Sequence, residues 1–319
     1  MSKCIFLFSL PRSGSTYLQR VLGTSDEVAT TDEPWLAVSA LYALANQIYA
    51  PYGWLDASRA LEDFFSKYSQ TGFLKRVMKS ICDYYISLAE GREYFLDKTP
   101  RNLLVATEIC ENSPEETKFI LLSRHPVSVV KSMSETWSEG QWNFHKYKVD
   151  MEVSLNNLID LIARYKGNPN FFHIRYEDLV ESKFESVVSL EKFLEIDLNP
   201  EGYKDVRLDG VMGDPKRNSE FAVSCDTEYS WLPFITNSFR KGLILSFISD
   251  IGREKFEVLG YNYDETVSRI RNKKVIKQKK LISDTFYFIA GVIYNRFQPR
   301  VVVDAVSRLA GSSKSYIYR

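Results

Sequence analysis

Lys3-Cys4-Ile5-Phe6-Leu7-Phe8-Ser9-Leu10 runs straight into Pro11-Arg12-Ser13-Gly14-Ser15-Thr16 and then into Tyr17-Leu18-Gln19-Arg20-Val21-Leu22. The first run is short and apolar, as a buried strand is, and the last has the spacing of a helix. A buried strand, a turn of small residues and a helix start are the parts from which an α/β protein builds an anion cradle. The first turn of a helix has backbone N–H groups without intrahelical partners, and the macrodipole adds partial positive charge there. Ser13, Gly14, Ser15 and Thr16 let an oxyanion come close to that turn, and Arg12 adds a full charge with two donors. The loop therefore predicts a site for a phosphate or sulfate ester, although a plain strand–turn–helix connection uses similar residues. It is not the nucleotide loop G-x-x-x-x-G-K-[ST], because it has one glycine and no lysine before its hydroxyl residues.

The bulk properties narrow the field. With 319 residues, 45% of them hydrophobic, the chain can fill the core of one large α/β domain. Lys+Arg and Asp+Glu balance at 41 each, which gives no overall electrostatic case for nucleic acid, so an anion must be held locally. Cys4, Cys82, Cys110 and Cys225 are scattered, with no C-x-x-C pair and no metal-ligand spacing. They read as free thiols in a reducing compartment. The predicted first strand begins within three residues of Met1, so the expected setting is cytoplasmic, without a leader. The longest apolar run near the C-terminus, Phe286 to Tyr294, is too short to span a bilayer.

Further strand-like runs are Tyr94-Phe95-Leu96-Asp97, Lys118-Phe119-Ile120-Leu121-Leu122-Ser123 and Phe171-Phe172-His173-Ile174-Arg175-Tyr176, each followed by a loop entering a helix. That alternation predicts an α/β fold with a parallel sheet, whose ligands gather at the carboxyl ends of the strands. A helical insertion is expected at about 35–90, and Phe184 to Leu194 has the pattern of a packing helix. Residues 1–268 are assigned to the main domain and 269–319 to a basic and aromatic helical extension that opens on Arg269-Ile270-Arg271-Asn272-Lys273-Lys274-Val275-Ile276-Lys277-Gln278-Lys279-Lys280.

The run 118–123 leads into Arg124-His125-Pro126 and then Val127-Ser128-Val129-Val130-Lys131-Ser132-Met133. Arg124 precedes that helix and Ser132 stands about two turns into it, so an arginine and a hydroxyl can converge on a second phosphate. Together with residues 11–16, this pair resembles the sulfotransferases that use 3′-phosphoadenosine 5′-phosphosulfate (PAPS). In that family a P-[RK]-S-G-[ST]-T loop holds the 5′-phosphosulfate, while an arginine ending a central strand and a serine eight positions later bind the 3′-phosphate.

The resemblance covers roughly residues 3–221 and implies a three-layer sandwich around a central parallel sheet, the P-loop NTPase-like sulfotransferase fold. PAPS would be the donor, and no metal is required. Arg12, Ser13, Gly14, Ser15, Thr16, Arg124 and Ser132 would bind it. Tyr176 matches a tyrosine that lies near the adenine in relatives. Lys216 and Arg217, in Gly210-Val211-Met212-Gly213-Asp214-Pro215-Lys216-Arg217-Asn218, match a late loop closing over the 3′-phosphate. Lys98, in Asp97-Lys98-Thr99-Pro100, is placed to add charge at the leaving group. The best-known cytosolic branch has a catalytic histidine just after that lysine-threonine pair, where this chain has Pro100. Glu33, in Thr30-Thr31-Asp32-Glu33-Pro34-Trp35, instead matches the glutamate base of the protein-tyrosine and bacterial branch. It can also serve as a helix-start carboxylate, and Asp32 is its nearest rival. Asp97 and His125 are expected to be structural.

Sulfuryl transfer needs in-line alignment, a cation at the bridging oxygen and a base for the acceptor proton. The expected acceptor is a carbohydrate or other hydroxylated metabolite, with a protein tyrosine as the other option. Aromatic residues of the insertion and of residues 136–148 are expected to line its pocket. The basic stretch 269–280 is suited either to an anionic membrane surface or to a solvated helix face. A P-loop nucleotide or small-molecule kinase and a non-catalytic nucleotide-binding relative are the alternative functions.

Overall fold

The opening apolar run is β1 (Lys3–Ser9), and it occupies the centre of a parallel sheet in the computed structural model, which describes residues 2–45, 60, 63–208 and 228–297. The other strands are β2 (Val28–Thr30), β3 (Tyr94–Asp97), β4 (Lys118–Ser123) and β5 (Phe171–Arg175), in the order β2-β3-β1-β4-β5. Alternation along β1 explains why both of its faces are apolar. Cys4, Phe6 and Phe8 join Phe95, Phe119 and Leu121 in one core, whereas Ile5 and Leu7 join Leu96, Ile120 and Leu122 in the other. On the first face aromatic rings run across the sheet, with Phe8 stacked on Phe119, Phe119 on Phe171 at 4.5 Å and Phe171 on Tyr165 at 3.9 Å.

A helical layer covers each face. Against the Ile5–Leu7 face lie Ser15–Leu22, Tyr176–Glu181 and Lys183–Leu194, the last burying Val187, Leu190 and Leu194 while Phe184 remains exposed. Against the phenylalanine face lie Leu36–Ala45, Gln70–Ser87, Ala106–Asn112, Pro126–Trp137, Leu155–Arg164 and Ser238–Ile251. This is the expected three-layer α/β sandwich. The insertion contributes Leu36–Ala45 and Gln70–Ser87, the latter capped by Ser69 Oγ accepting from the Gly72 N–H at 3.0 Å. Residues 46–59, 61 and 62 of the insertion lie outside the described residues, as does Cys225.

Two details differ from the sequence expectation. The edge strand β2 was not anticipated, since three residues are too few to show a period of two. β5 stops at Arg175, and Tyr176 opens the next helix.

Past Asn272 the chain continues through residues 273–280 to a helix at Leu281–Phe297. That helix is tied down by Asp284, fully buried, whose carboxylate accepts from Arg240 Nε at 2.8 Å and Nη2 at 2.6 Å, from Asn237 Nδ2 at 2.6 Å and from the Trp142 N–H at 2.9 Å. A buried carboxylate with this many donors has its desolvation offset. Among the described residues no helix is long and apolar enough to cross a membrane.

The strand order decides where a ligand can bind. From β1 the chain crosses first to the β2–β3 side and later to the β4–β5 side, so a crevice opens beyond the carboxyl end of β1. Residues 11–16, Lys98 after β3 and Arg124 after β4 follow the ends of three adjacent strands.

Candidate active site

The loop after β1 is conformationally unusual. Arg12 has φ +67° and Gly14 has φ +89°, so two left-handed residues frame Ser13. Gly14 meets this requirement at no steric cost, whereas for arginine it costs on the order of 1–3 kcal/mol and marks a site under functional constraint. Gly14 is needed for a second reason. A Cβ there would lie 2.2 Å from Tyr176 Cδ2 and 2.3 Å from Cε2. The helix Ser15–Leu22 begins at once, with Ser15 and Thr16 buried at its first turn, and the Gly14 carbonyl accepts from the Tyr17 and Leu18 N–H groups. Among the described residues the buried Ser13 Oγ has no hydrogen-bond partner, an orphaned hydroxyl of the kind that a bound oxyanion satisfies.

Arg124 and Ser132 converge on this loop. Arg12 Nε donates to Ser132 Oγ at 3.4 Å, and Arg124 Nη1 donates to the Arg12 carbonyl at 2.8 Å. The bond to the Arg12 carbonyl fixes the strained loop, and a guanidinium carries five donors, so holding the loop and holding a phosphate are compatible. Tyr176 is buried beneath them, with the Arg124 guanidinium 4.4 Å from its ring centroid. The adenine-contact role expected for Tyr176 therefore meets a ring with one face already taken by Arg124 and an edge against Gly14; it forms the floor of the cradle.

His125 and Glu177 support this arrangement from behind. The His125 N–H donates to Glu177 Oε1 at 3.1 Å, Tyr261 OH donates to Glu177 Oε2 at 2.6 Å, and His125 Nδ1 accepts from the Val127 N–H at 3.3 Å, capping the helix Pro126–Trp137. Trp231, Phe256 and Tyr261 surround the imidazole. Burial, aided by the positive charge of Arg124, pushes the His125 pKa down to about 3, so the ring is neutral near pH 7 and adds no charge to the site.

The carboxylate side is built on the end of β3. Lys98 is buried and its Nζ donates to Glu33 Oε1 at 3.0 Å, while Trp35 Nε1 donates to Glu33 Oε2 at 3.2 Å. Both carboxylate oxygens are thereby oriented, and each keeps lone-pair capacity for another donor. Trp35, at φ +56°, is held by its N–H donating to Thr99 Oγ1 at 3.3 Å. Thr99 Oγ1 in turn donates to Asp97 Oδ1 at 2.7 Å, and Asp97 Oδ2 accepts from Tyr85 OH and Asn102 Nδ2. Burial pushes the Asp97 carboxyl above the usual carboxylate range, against the lowering effect of these three donors. Asp97 thus anchors the segment carrying Glu33. Glu33 itself follows the edge strand β2, which stands between it and the helix Ser15–Leu22.

Comparison with known proteins bears on what this arrangement is for. The sequence model described as the sulfotransferase family matches residues 4–200, more than half of the chain. The chain belongs to the sulfotransferase family. Nodulation protein NoeE of Sinorhizobium fredii (strain NBRC 101917 / NGR234) is 29% identical over 133 residues, 41% of this chain and 31% of its own length. The match thus spans about a third of that curated relative. Among solved structures, the sulfotransferase domain of the Synechococcus PCC 7002 olefin synthase is 18% identical with a TM-score of 0.53, over 82% of this chain and 96% of that domain. Mouse sulfotransferase SULT7A1 complexed with PAP is 15% identical with a TM-score of 0.48, over 84% of this chain and 90% of its own.

In this chain the sequence motifs do not reveal every residue around the site. Trp35, Thr99 and Glu177 carry the second layer of hydrogen bonds, yet a lone tryptophan, threonine or glutamate after an apolar run gives no signal of its own. Lys216 and Arg217 lie outside the described residues. Of the aromatics expected to line an acceptor pocket, Tyr147 is buried with its OH bonded to Ser134 Oγ. Trp142 and Phe144 do line a cavity of about 320 Å³, but its other walls include Met151, Leu155, Lys148, Glu152 and Phe288, and none of the cradle residues.

Proposed function

We propose that this sulfotransferase moves the sulfuryl group of PAPS to a hydroxyl of a carbohydrate or other small metabolite, with Glu33 as the base. The observation that carries the reading is the convergence of Arg12, Ser132 and Arg124 on one strained loop, from opposite sides of the switch point of the sheet.

The chemistry follows from charge. The acceptor oxygen attacks sulfur in line with the bridging oxygen of the phosphosulfate, whose bond to sulfur breaks and leaves its electron pair on the 5′-phosphate of the product. Arg12 and the N–H groups at the start of the helix Ser15–Leu22 hold that phosphate as its charge grows. Lys98, buried beside Glu33, adds a second cation. Glu33 accepts the acceptor proton, with Lys98 and Trp35 fixing the direction of its oxygens. Arg124 and Ser132 serve the 3′-phosphate, which anchors the donor away from the reacting sulfur.

Two measurements test this. Affinity for 3′-phosphoadenosine 5′-phosphate is expected to exceed that for ATP with magnesium, and the reverse order would indicate a kinase. A donor with labelled sulfate, offered to sugars, small alcohols and phenols and tyrosine peptides, is expected to label the hydroxylated small molecules. Tight nucleotide binding with no transfer to any class would indicate a non-catalytic relative.

A further inference from the structure

The basic stretch that begins near Arg269 takes no part in the site described above. Between Arg271 and Arg296 the chain carries seven basic side chains, Arg271, Lys273, Lys274, Lys277, Lys279, Lys280 and Arg296, and one acid, Asp284. That acid is buried against Arg240, so this surface is strongly positive in a chain whose total charge is zero. The lysines at 274, 277, 279 and 280 are exposed, and Ile276 stands among them 89% exposed.

The helix that follows is two-faced in an unusual sense. Asp284 and Gly291, seven residues apart, face the protein, where a Cβ on Gly291 would meet the His145 ring at about 3 Å. On the opposite side Ile282, Phe286, Ile289 and Ile293 recur at i, i+4, i+7 and i+11 and are all exposed, Ile282 at 87% and Phe286 at 64%. Since Asp284 and Gly291 lie on the side tied to the core, the stripe of Ile282, Phe286, Ile289 and Ile293 points outward. A continuous row of large side chains is not the scatter of single hydrophobic residues normal on a soluble surface.

We propose that Ile276 and the outward stripe of Leu281–Phe297 rest in the surface of an anionic lipid bilayer, with Lys274, Lys277 and Lys279 on the phosphate and carboxylate headgroups. The combination decides the occupant. Aliphatic side chains beside lysines match the boundary between acyl chains and anionic headgroups. A second copy meeting the same stripe about a two-fold axis would cover the apolar side chains but offer the lysines no anionic partner, since Asp284 is the single acid here and is buried. Nucleic acid would use the lysines but leave the isoleucine and phenylalanine stripe in water.

Flotation of the full chain with vesicles tests the proposal. Binding is expected to vesicles of phosphatidylcholine with phosphatidylserine, to be weak to phosphatidylcholine alone, and to fall as salt is raised. Lys274→Gln, Lys277→Gln and Lys279→Gln together should lower partitioning about a hundredfold or more, at roughly tenfold or less per headgroup contact. Ile282→Ser, Phe286→Ser and Ile289→Ser together should lower it at least about tenfold on the same vesicles. All six side chains are exposed, so thermal unfolding should be unchanged. If the serine set alters folding, the lysine set, outside the helix, carries the test. Equal binding to neutral and anionic vesicles, or none, overturns the proposal. So does self-association that the serine set abolishes without any effect of lipid, or a fall in melting temperature with unaltered vesicle binding.

Discussion

Replacing Gly14 by alanine would set a Cβ 2.2 Å from Tyr176 Cδ2, where ordinary contact begins at 3.4 Å. The ring would have to retreat by roughly 1.2 Å, or the loop would have to rise by as much. Neither movement is independent of the donor site. Tyr176 lies under the Arg124 guanidinium, and Arg124 holds the Arg12 carbonyl, so a displaced ring moves both cations. Two costs add. An alanine at φ +89° is disfavoured by about 1–2 kcal/mol. Overpacking of a buried contact costs a further 1–3 kcal/mol or so. At tenfold for every 1.4 kcal/mol, the expected loss is from about thirtyfold to a few thousandfold, read in nucleotide affinity if the loop yields and in stability if it does not. Calorimetric titration with 3′-phosphoadenosine 5′-phosphate, together with thermal unfolding, measures both. A double-mutant cycle with Tyr176→Ala isolates the clash, because removing the ring should restore the part of the loss that overpacking causes. If Gly14→Ala changes neither affinity nor melting temperature, or if the two substitutions act additively, Tyr176 is not what requires glycine here.

The other expected outcomes concern the remaining parts of the site. Arg124→Ala should weaken 3′-phosphoadenosine 5′-phosphate by at least about a hundredfold while hardly affecting adenosine 5′-phosphate, and an equal loss for both would assign Arg124 to the loop alone. Glu33→Gln should leave nucleotide affinity unchanged and lower kcat at least about a hundredfold in single-turnover assays; near-normal turnover would transfer the role of base to another group. Trp35→Phe keeps the ring but loses the indole donor to Glu33 Oε2, so it should lower kcat about tenfold with donor KM intact; unchanged kcat would leave Trp35 only a packing role. His125 has its pKa lowered from 6.5 to about 3 by burial, so the unfolded chain takes up this proton first as pH falls. The stability it contributes is complete above about pH 6.5 and is lost between there and pH 3, by up to a few kcal/mol. Urea midpoints from neutral to acid pH should fall less steeply for His125→Asn, which keeps a capping acceptor; equal slopes would count against the neutral buried ring.

The sheet was legible because β1, β3 and β4 are buried on both faces and spell themselves as unbroken apolar runs. β2 was not, because a three-residue edge strand is defined by its pairing of Ala29 with Phe95 and not by its composition. The cradle proposed for the donor was readable because it is local. A phosphate at a helix start demands small residues and a cation within one short stretch, and Pro11-Arg12-Ser13-Gly14-Ser15-Thr16 supplies them consecutively. Arg124 and Ser132 were readable for the same reason, being two turns apart along one helix start.

By itself, then, the sequence determined the α/β class and the positions of the loops proposed to bind the anions, since each depends on neighbours in the chain. The tertiary structure alone decided how they are used together. Only the fold brings Tyr176 under Gly14, the Arg12 carbonyl to Arg124, Trp35 and Lys98 to the two oxygens of Glu33, and Asp284 to Arg240 so that an apolar helix face is left pointing outward. These contacts join residues up to about 160 positions apart in the chain, and no local preference records a distance that is set by the packing of layers.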